Sequence, residues 1–140
     1  MLKPNFSYFD FLRVNFPHLR KNKKQIRDLT FQVTEDCNLR CSYCYQINKS
    51  HNKMDFETAK KFIDYIFDNK DDPNFFYSES KVAGFVIEFI GGEPFLELDL
   101  IEQIIDYFES KFLQYPDSDW LLCHTYNFST NGTLYNTEKA

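Results

Sequence analysis

At 140 residues, 43% hydrophobic and 19% aromatic, the chain has enough apolar content for one packed core and length for little more than one domain. A formal net charge of -5 and a pI near 5.2 give no general attraction to phosphate backbones, so a nucleic-acid partner is not expected, and the one basic run, Arg20 to Arg27, reads as a solvated face. No segment reaches the roughly 18 to 20 continuous apolar residues of a membrane span, and Met1 to Phe6 lacks the pattern of a signal peptide, which points to a cytoplasmic chain without a membrane segment.

Residues 1–28 are aromatic and basic without clear periodicity and read as an N-terminal extension, with one short helix around Phe6 to Val14. From Leu29 to Thr34 apolar and polar residues alternate, as in a strand. This strand runs straight into Cys37-Asn38-Leu39-Arg40-Cys41-Ser42-Tyr43-Cys44. Asp55 is placed to cap a helix whose apolar positions Phe56, Ala59, Phe62, Ile63, Ile66 and Phe67 recur at helical spacing, ending near Asn69.

Lys70 to Ser80 is a polar loop, and Val82 to Ile90 is a nearly continuous apolar run, as in a parallel strand buried on both faces. It stops at Gly91-Gly92-Glu93-Pro94. A second amphipathic helix is expected from Leu98 to Phe112, with Ile101, Ile104, Ile105, Phe108 and Phe112 on one face. After a break at Tyr115 to Asp119, Leu121 to Phe128 reads as a third strand, running into Ser129-Thr130-Asn131-Gly132-Thr133. Strand, helix, strand, helix, strand is the order of an α/β fold with a parallel sheet. Asn136 to Ala140 has the character of another helix opening, and three strands with two helices would leave an exposed parallel edge, so a fragment of a longer protein is expected.

The cysteines carry the strongest chemical signal. Their i, i+4, i+7 spacing would also suit one face of a helix, but the polar flanks Asp36, Asn38, Arg40, Ser42 and Gln46 argue against a buried helix. A zinc site is a second possibility, with His51, His124 or Cys123 as fourth ligand, although structural zinc sites usually pair two-ligand knuckles. The third is a 4Fe-4S cluster held by three thiolates, which leaves one iron open to a small molecule with amino and carboxylate donors.

Cys37-x-x-x-Cys41-x-Tyr43-Cys44, then Gly91-Gly92-Glu93-Pro94, then Thr130-Asn131-Gly132-Thr133-Leu134, each at a strand end, resembles the radical S-adenosylmethionine (radical SAM) enzymes, and more narrowly their peptide- and sulfatase-maturing branch. The resemblance covers Leu29 to the C-terminus. It implies the first half of a partial (β/α)6 barrel of β1-α1-β2-α2-β3 order over residues 29–140. It implies a 4Fe-4S cluster on Cys37, Cys41 and Cys44, with S-adenosylmethionine (SAM) bound beside it. Tyr43 would lie by the adenine, and Gly91, Gly92, Glu93 and Pro94 by the methionine moiety, with Glu93 orienting its ammonium. Ser129 and Asn131 would lie near SAM or substrate. The implied reaction is reductive cleavage of SAM to a 5'-deoxyadenosyl radical acting on a peptide or protein side chain, with flavodoxin or ferredoxin as reductant; no side chain is assigned to the chemical step itself. An inactive fragment needing a second chain is the alternative, beside the zinc module.

On physical grounds alone, Gly91-Gly92 removes Cβ atoms where backbone must approach closely, and Pro94 ends the strand. Asn131-Gly132 suits a hairpin turn, but the residues after it supply no alternating partner strand, so a strand-to-helix loop is expected. Cys123 reads as a core side chain and His18, His51 and His124 as structural residues. Asp36 is expected to shape the cysteine loop, and Arg40 either to offset thiolate charge or to point to solvent.

Overall fold

The computed structural model describes residues 26–70, 84–115 and 124–136. The elements are β1 (Ile26–Thr34), α1 (Phe56–Asp68), β2 (Gly84–Gly91), a 3-10 turn (Pro94–Glu97), α2 (Leu98–Gln114) and β3 (His124–Phe128). The strands form one sheet in the order β1-β2-β3, and both pairings are parallel. The expected α/β order is therefore observed. The expected helix near Phe6 to Val14, the loop from 71 to 80, Cys123, His18 and the helix opening at 137–140 lie outside the described residues.

Alternation dictates which side of the sheet is covered. Leu29, Phe31 and Val33 of β1 and Phe85, Ile87 and Phe89 of β2 form one core with Ala59, Ile63, Ile66 and Phe67 of α1 and Leu100, Ile101, Ile104, Phe108 and Phe112 of α2. Phe108 is fully buried at its centre, with ring centroids 5.9 Å from both Phe31 and Phe85. Each such ring contributes roughly 1.5–3 kcal/mol by burial. The expectation that β2 is buried on both faces is corrected here: Val86, Glu88 and Ile90 are only half-buried, beside exposed Thr30, Gln32, Thr125 and Asn127. Glu88 explains why, since a carboxylate in the middle of the run keeps its face polar; it accepts from the Thr30 hydroxyl at 3.3 Å and the Ser129 hydroxyl at 3.1 Å.

Asp55 caps α1 as expected, its carboxylate accepting from the Thr58 N–H at 2.7 Å. Between the helices, Asp64 accepts from the Tyr107 hydroxyl at 2.7 Å and pairs with Lys111. Burial alone would raise the Asp64 carboxyl, but hydrogen bonds from Lys111 and Tyr107 and the charges of Lys111 and Lys60 outweigh it and hold it below the usual 3.8. A carboxyl depressed on folding adds stability above its unfolded value, and that contribution disappears as pH falls through the folded value. Stability should thus decline below about pH 4, and Asp64→Asn should flatten this part of the acid limb in denaturation curves measured at successive pH values. No helix among the described residues is long and apolar enough to cross a membrane.

Candidate iron-sulfur site at the carboxyl ends of the strands

The chain leaves β1 with an irregularity in register between Gln32 and Thr34 and enters a loop that is not helical over Cys37 to Cys44. Asp36 shapes the entry: its carboxylate accepts from the Cys37 N–H at 2.7 Å, and its own N–H donates to the Thr34 hydroxyl at 3.1 Å. Hydrogen bonds from His51 and from the Cys37 N–H hold the Asp36 carboxyl below its ordinary value. After the loop the chain is pinned back along β1: Glu35 N–H donates to Asn52 O at 2.9 Å and Met54 N–H to Val33 O at 3.0 Å.

The segment after β2 packs directly on this entry. Gly92 N–H donates to Thr34 O at 3.0 Å and Glu93 N–H to Asp36 O at 2.8 Å. A Cβ on Gly92 would lie 2.1 Å from Asp36 O and 2.9 Å from Cys37 Cβ, and one on Gly91 would lie 2.7 Å from Thr34 O. The close approach that needs these glycines is thus between two backbone segments of the chain itself.

Glu93 is the third tie. It is 0% exposed, and its carboxylate accepts from the Phe95 N–H at 3.0 Å, the Thr130 hydroxyl at 2.7 Å and the Asn131 N–H at 2.8 Å. It caps the 3-10 turn, in which buried Pro94 takes the first position, and it clamps the loop after β3. The Asn131 amide in turn donates to the Asn38 side chain at 2.9 Å and toward Cys37 Sγ at 3.8 Å, and Asn38 donates to the Thr133 hydroxyl at 2.7 Å. The three motifs therefore meet at one edge, and Glu93 serves the framework with both carboxylate oxygens engaged. Gly132 has φ +77°, which accounts for the glycine after Asn131.

Tyr43 is 89% exposed; the hydrogen bond and charge of Cys41 push its phenol above the ordinary value. Ser129 holds Glu88 on the open face, and its N–H donates to Phe89 O at 3.0 Å. Arg40 turns back onto its own loop instead of toward the sulfurs: its guanidinium donates to the backbone carbonyls of Cys37 and Leu39 and faces Asp36 at 3.8 Å. His51 is bonded to Asp36, and His124 lies stacked on Phe112 and bonded to Glu109, so both are structurally engaged.

The surroundings of the sulfurs suit thiolates. Cys37 Sγ, on a buried residue, accepts from the Leu39 N–H at 3.4 Å, and Cys44 Sγ accepts from Lys49 Nζ at 3.4 Å. Hydrogen bonds to the sulfurs are among the features that tune iron-sulfur clusters. Among the described residues no three His, Cys, Asp or Glu side chains converge on a single metal ion. Cys37, Cys41 and Cys44 are free cysteines on one short loop, the residue type that holds 4Fe-4S clusters. The donor set fits the cluster.

The fold is a parallel α/β sheet with a three-cysteine loop at the carboxyl ends of its strands. The model of the 4Fe-4S single cluster domain family matches residues 25–136, and the chain belongs to that family. It is similar to an uncharacterized protein of Methanocaldococcus jannaschii, 38% identical over 116 residues that make up 82% of this chain and 34% of that protein. It is also similar to the radical SAM cyclopropyl synthase TigE of Paramaledivibacter caminithermalis, 28% identical over 121 residues, 79% of this chain and 23% of the synthase. The chain thus spans well under half the length of either relative.

Proposed function

We propose that Cys37, Cys41 and Cys44 hold a 4Fe-4S cluster in a radical SAM enzyme, and that the chain from β1 onward forms the first half of its partial (β/α)6 barrel; the boundary expected at Leu29 moves to Ile26, because Ile26 to Asp28 already pair with β2. The observation that carries this reading is the joining of the cysteine loop to Gly91–Pro94 by backbone hydrogen bonds and to Thr130–Thr133 by side chains, all at the carboxyl ends of neighbouring parallel strands, where α/β folds place ligands. Similarity to a radical SAM cyclopropyl synthase supports it. Helices on one sheet face and a polar opposite face suit a barrel wall with its inner side turned toward a substrate.

When bound, the cluster supplies one low-potential electron and an iron with an open coordination position. The reaction we propose is one-electron reductive cleavage of SAM to methionine and a 5'-deoxyadenosyl radical, which removes a hydrogen atom from a peptide or protein side chain. The Tyr43 ring, 89% exposed, is the surface we propose for the adenine. Because both Glu93 carboxylate oxygens are engaged by the framework and its backbone carbonyl accepts from the Leu96 N–H at 3.2 Å, the acceptors we propose for the ammonium of SAM are the backbone carbonyls of Gly91 and Gly92. Ser129 and Asn131 stand at the same edge for the ribose or substrate. The reductant is a small cytoplasmic carrier such as flavodoxin or ferredoxin.

The test is anaerobic reconstitution of the full-length protein with iron and sulfide, then addition of dithionite and SAM. Formation of 5'-deoxyadenosine is expected, and Cys41→Ala should lose the visible absorption and at least about 100-fold of the cleavage rate. Retention of both in Cys41→Ala would refute the assignment.

A further inference from the structure

Lys49 lies five positions beyond the last cysteine, yet it brings the one full positive charge that meets a cysteine sulfur among the described residues. Its ammonium donates to Cys44 Sγ at 3.4 Å. The guanidinium of Arg40, the cation inside the loop, is occupied by two backbone carbonyls and Asp36. Among the described residues the donors at Cys37 Sγ are neutral, the Leu39 N–H at 3.4 Å and the Asn131 amide at 3.8 Å.

The neighbouring backbone makes this placement more than a reach by a long side chain. Ser50 is bonded to the Glu35 carboxylate, Asn52 N–H donates to the Ser50 hydroxyl at 3.0 Å, and Thr34 bridges Lys53 in antiparallel fashion. The segment just after Lys49 is therefore anchored to the end of β1. Lys49 itself is partly buried and makes no ion pair with a carboxylate among the described residues.

We infer that Lys49 is a positioning residue that sets the reduction potential of the cluster, holding a fixed positive charge against the Cys44 thiolate. The inference rests on the cluster assignment above. Reduction adds one electron, supplied by an external low-potential carrier, and leaves the cluster one unit more negative. A nearby cation favours that more negative state, so it raises the potential and makes the electron easier to accept.

The experiment is a spectroelectrochemical titration of the full-length reconstituted protein, with iron and sulfide measured on the same samples. Lys49→Met is expected to keep its iron and sulfide and to shift the midpoint to more negative values, and Lys49→Arg to return it toward that of the parent. Lys53→Met serves as control, because Lys53 belongs to the same anchored segment but is paired with Glu97 at 3.2 Å; it should leave the midpoint where it was. An unchanged midpoint in Lys49→Met, or an equal shift in Lys53→Met, overturns the role of Lys49 while leaving the cluster assignment standing. If Lys49→Met loses iron, the neutral Lys49→Gln takes its place under the same criterion. A parent without iron and sulfide overturns the assignment and this inference with it.

Discussion

Gly92→Ala is expected to abolish cluster loading although it touches no cysteine sulfur. The new methyl would stand 2.1 Å from the Asp36 carbonyl oxygen and 2.6 Å from its carbon. Both are backbone atoms of a residue held by hydrogen bonds, its carbonyl by the Glu93 N–H and its N–H by the Thr34 hydroxyl. No flexible side chain is available to yield, so the loop entry has to separate from the end of β2. Overpacking of this kind costs about 3 kcal/mol or more, and here it acts on the residue next to Cys37. Gly132→Ala is the informative contrast. It meets no atom within 4 Å and is strained only by its φ of +77°, at about 1–2 kcal/mol. Iron retention per chain, measured after desalting, should fall close to zero for Gly92→Ala and stay near the parent level for Gly132→Ala.

Glu93→Ala should be comparably severe. It leaves the Phe95 N–H, the Thr130 hydroxyl and the Asn131 N–H without the carboxylate that they share, at about 3–5 kcal/mol by analogy with breaking a buried charged network. Glu93→Gln separates framework from ligand binding. With one carbonyl oxygen in place of two carboxylate oxygens it cannot accept from all three donors on the same geometry, and its amide N–H₂ opposes one of them. Loss of iron and a lowered melting temperature should therefore precede any change in the SAM concentration needed for half-maximal cleavage. A Glu93→Gln protein with parent-level stability and iron but a large rise in that concentration would return Glu93 to the ammonium-orienting role.

Much of this arrangement is legible in the sequence because it depends on local pattern. Alternation at Leu29 to Thr34, helical spacing after Asp55, and glycines at an abrupt strand end each specify an element within a short window, and the sheet order comes from their succession. The single-sided burial of β2 is less visible: the run from Val82 to Ile90 looks uniformly apolar, and only Glu88 hints that one face stays polar. Long-range polar ties are not legible. The carboxylate of Glu93 reaches residues 37 and 38 positions away, and nothing in the composition near Pro94 signals Thr130 as its partner. Asn38 and Thr133 escape sequence reasoning for the same reason, being 95 positions apart. Lys49, and not Arg40, meets a sulfur because a loop's turns, invisible in sequence spacing, decide which cation faces sulfur and which faces backbone carbonyls.

The most direct test of the central claim is Mössbauer spectroscopy of the full-length protein reconstituted with 57Fe, recorded before and after SAM is added. Three protein thiolates and an open fourth iron predict a 4Fe-4S spectrum in which one iron site separates from the other three when SAM binds. A spectrum unchanged by SAM, or a preparation that holds zinc without acid-labile sulfide, would contradict it.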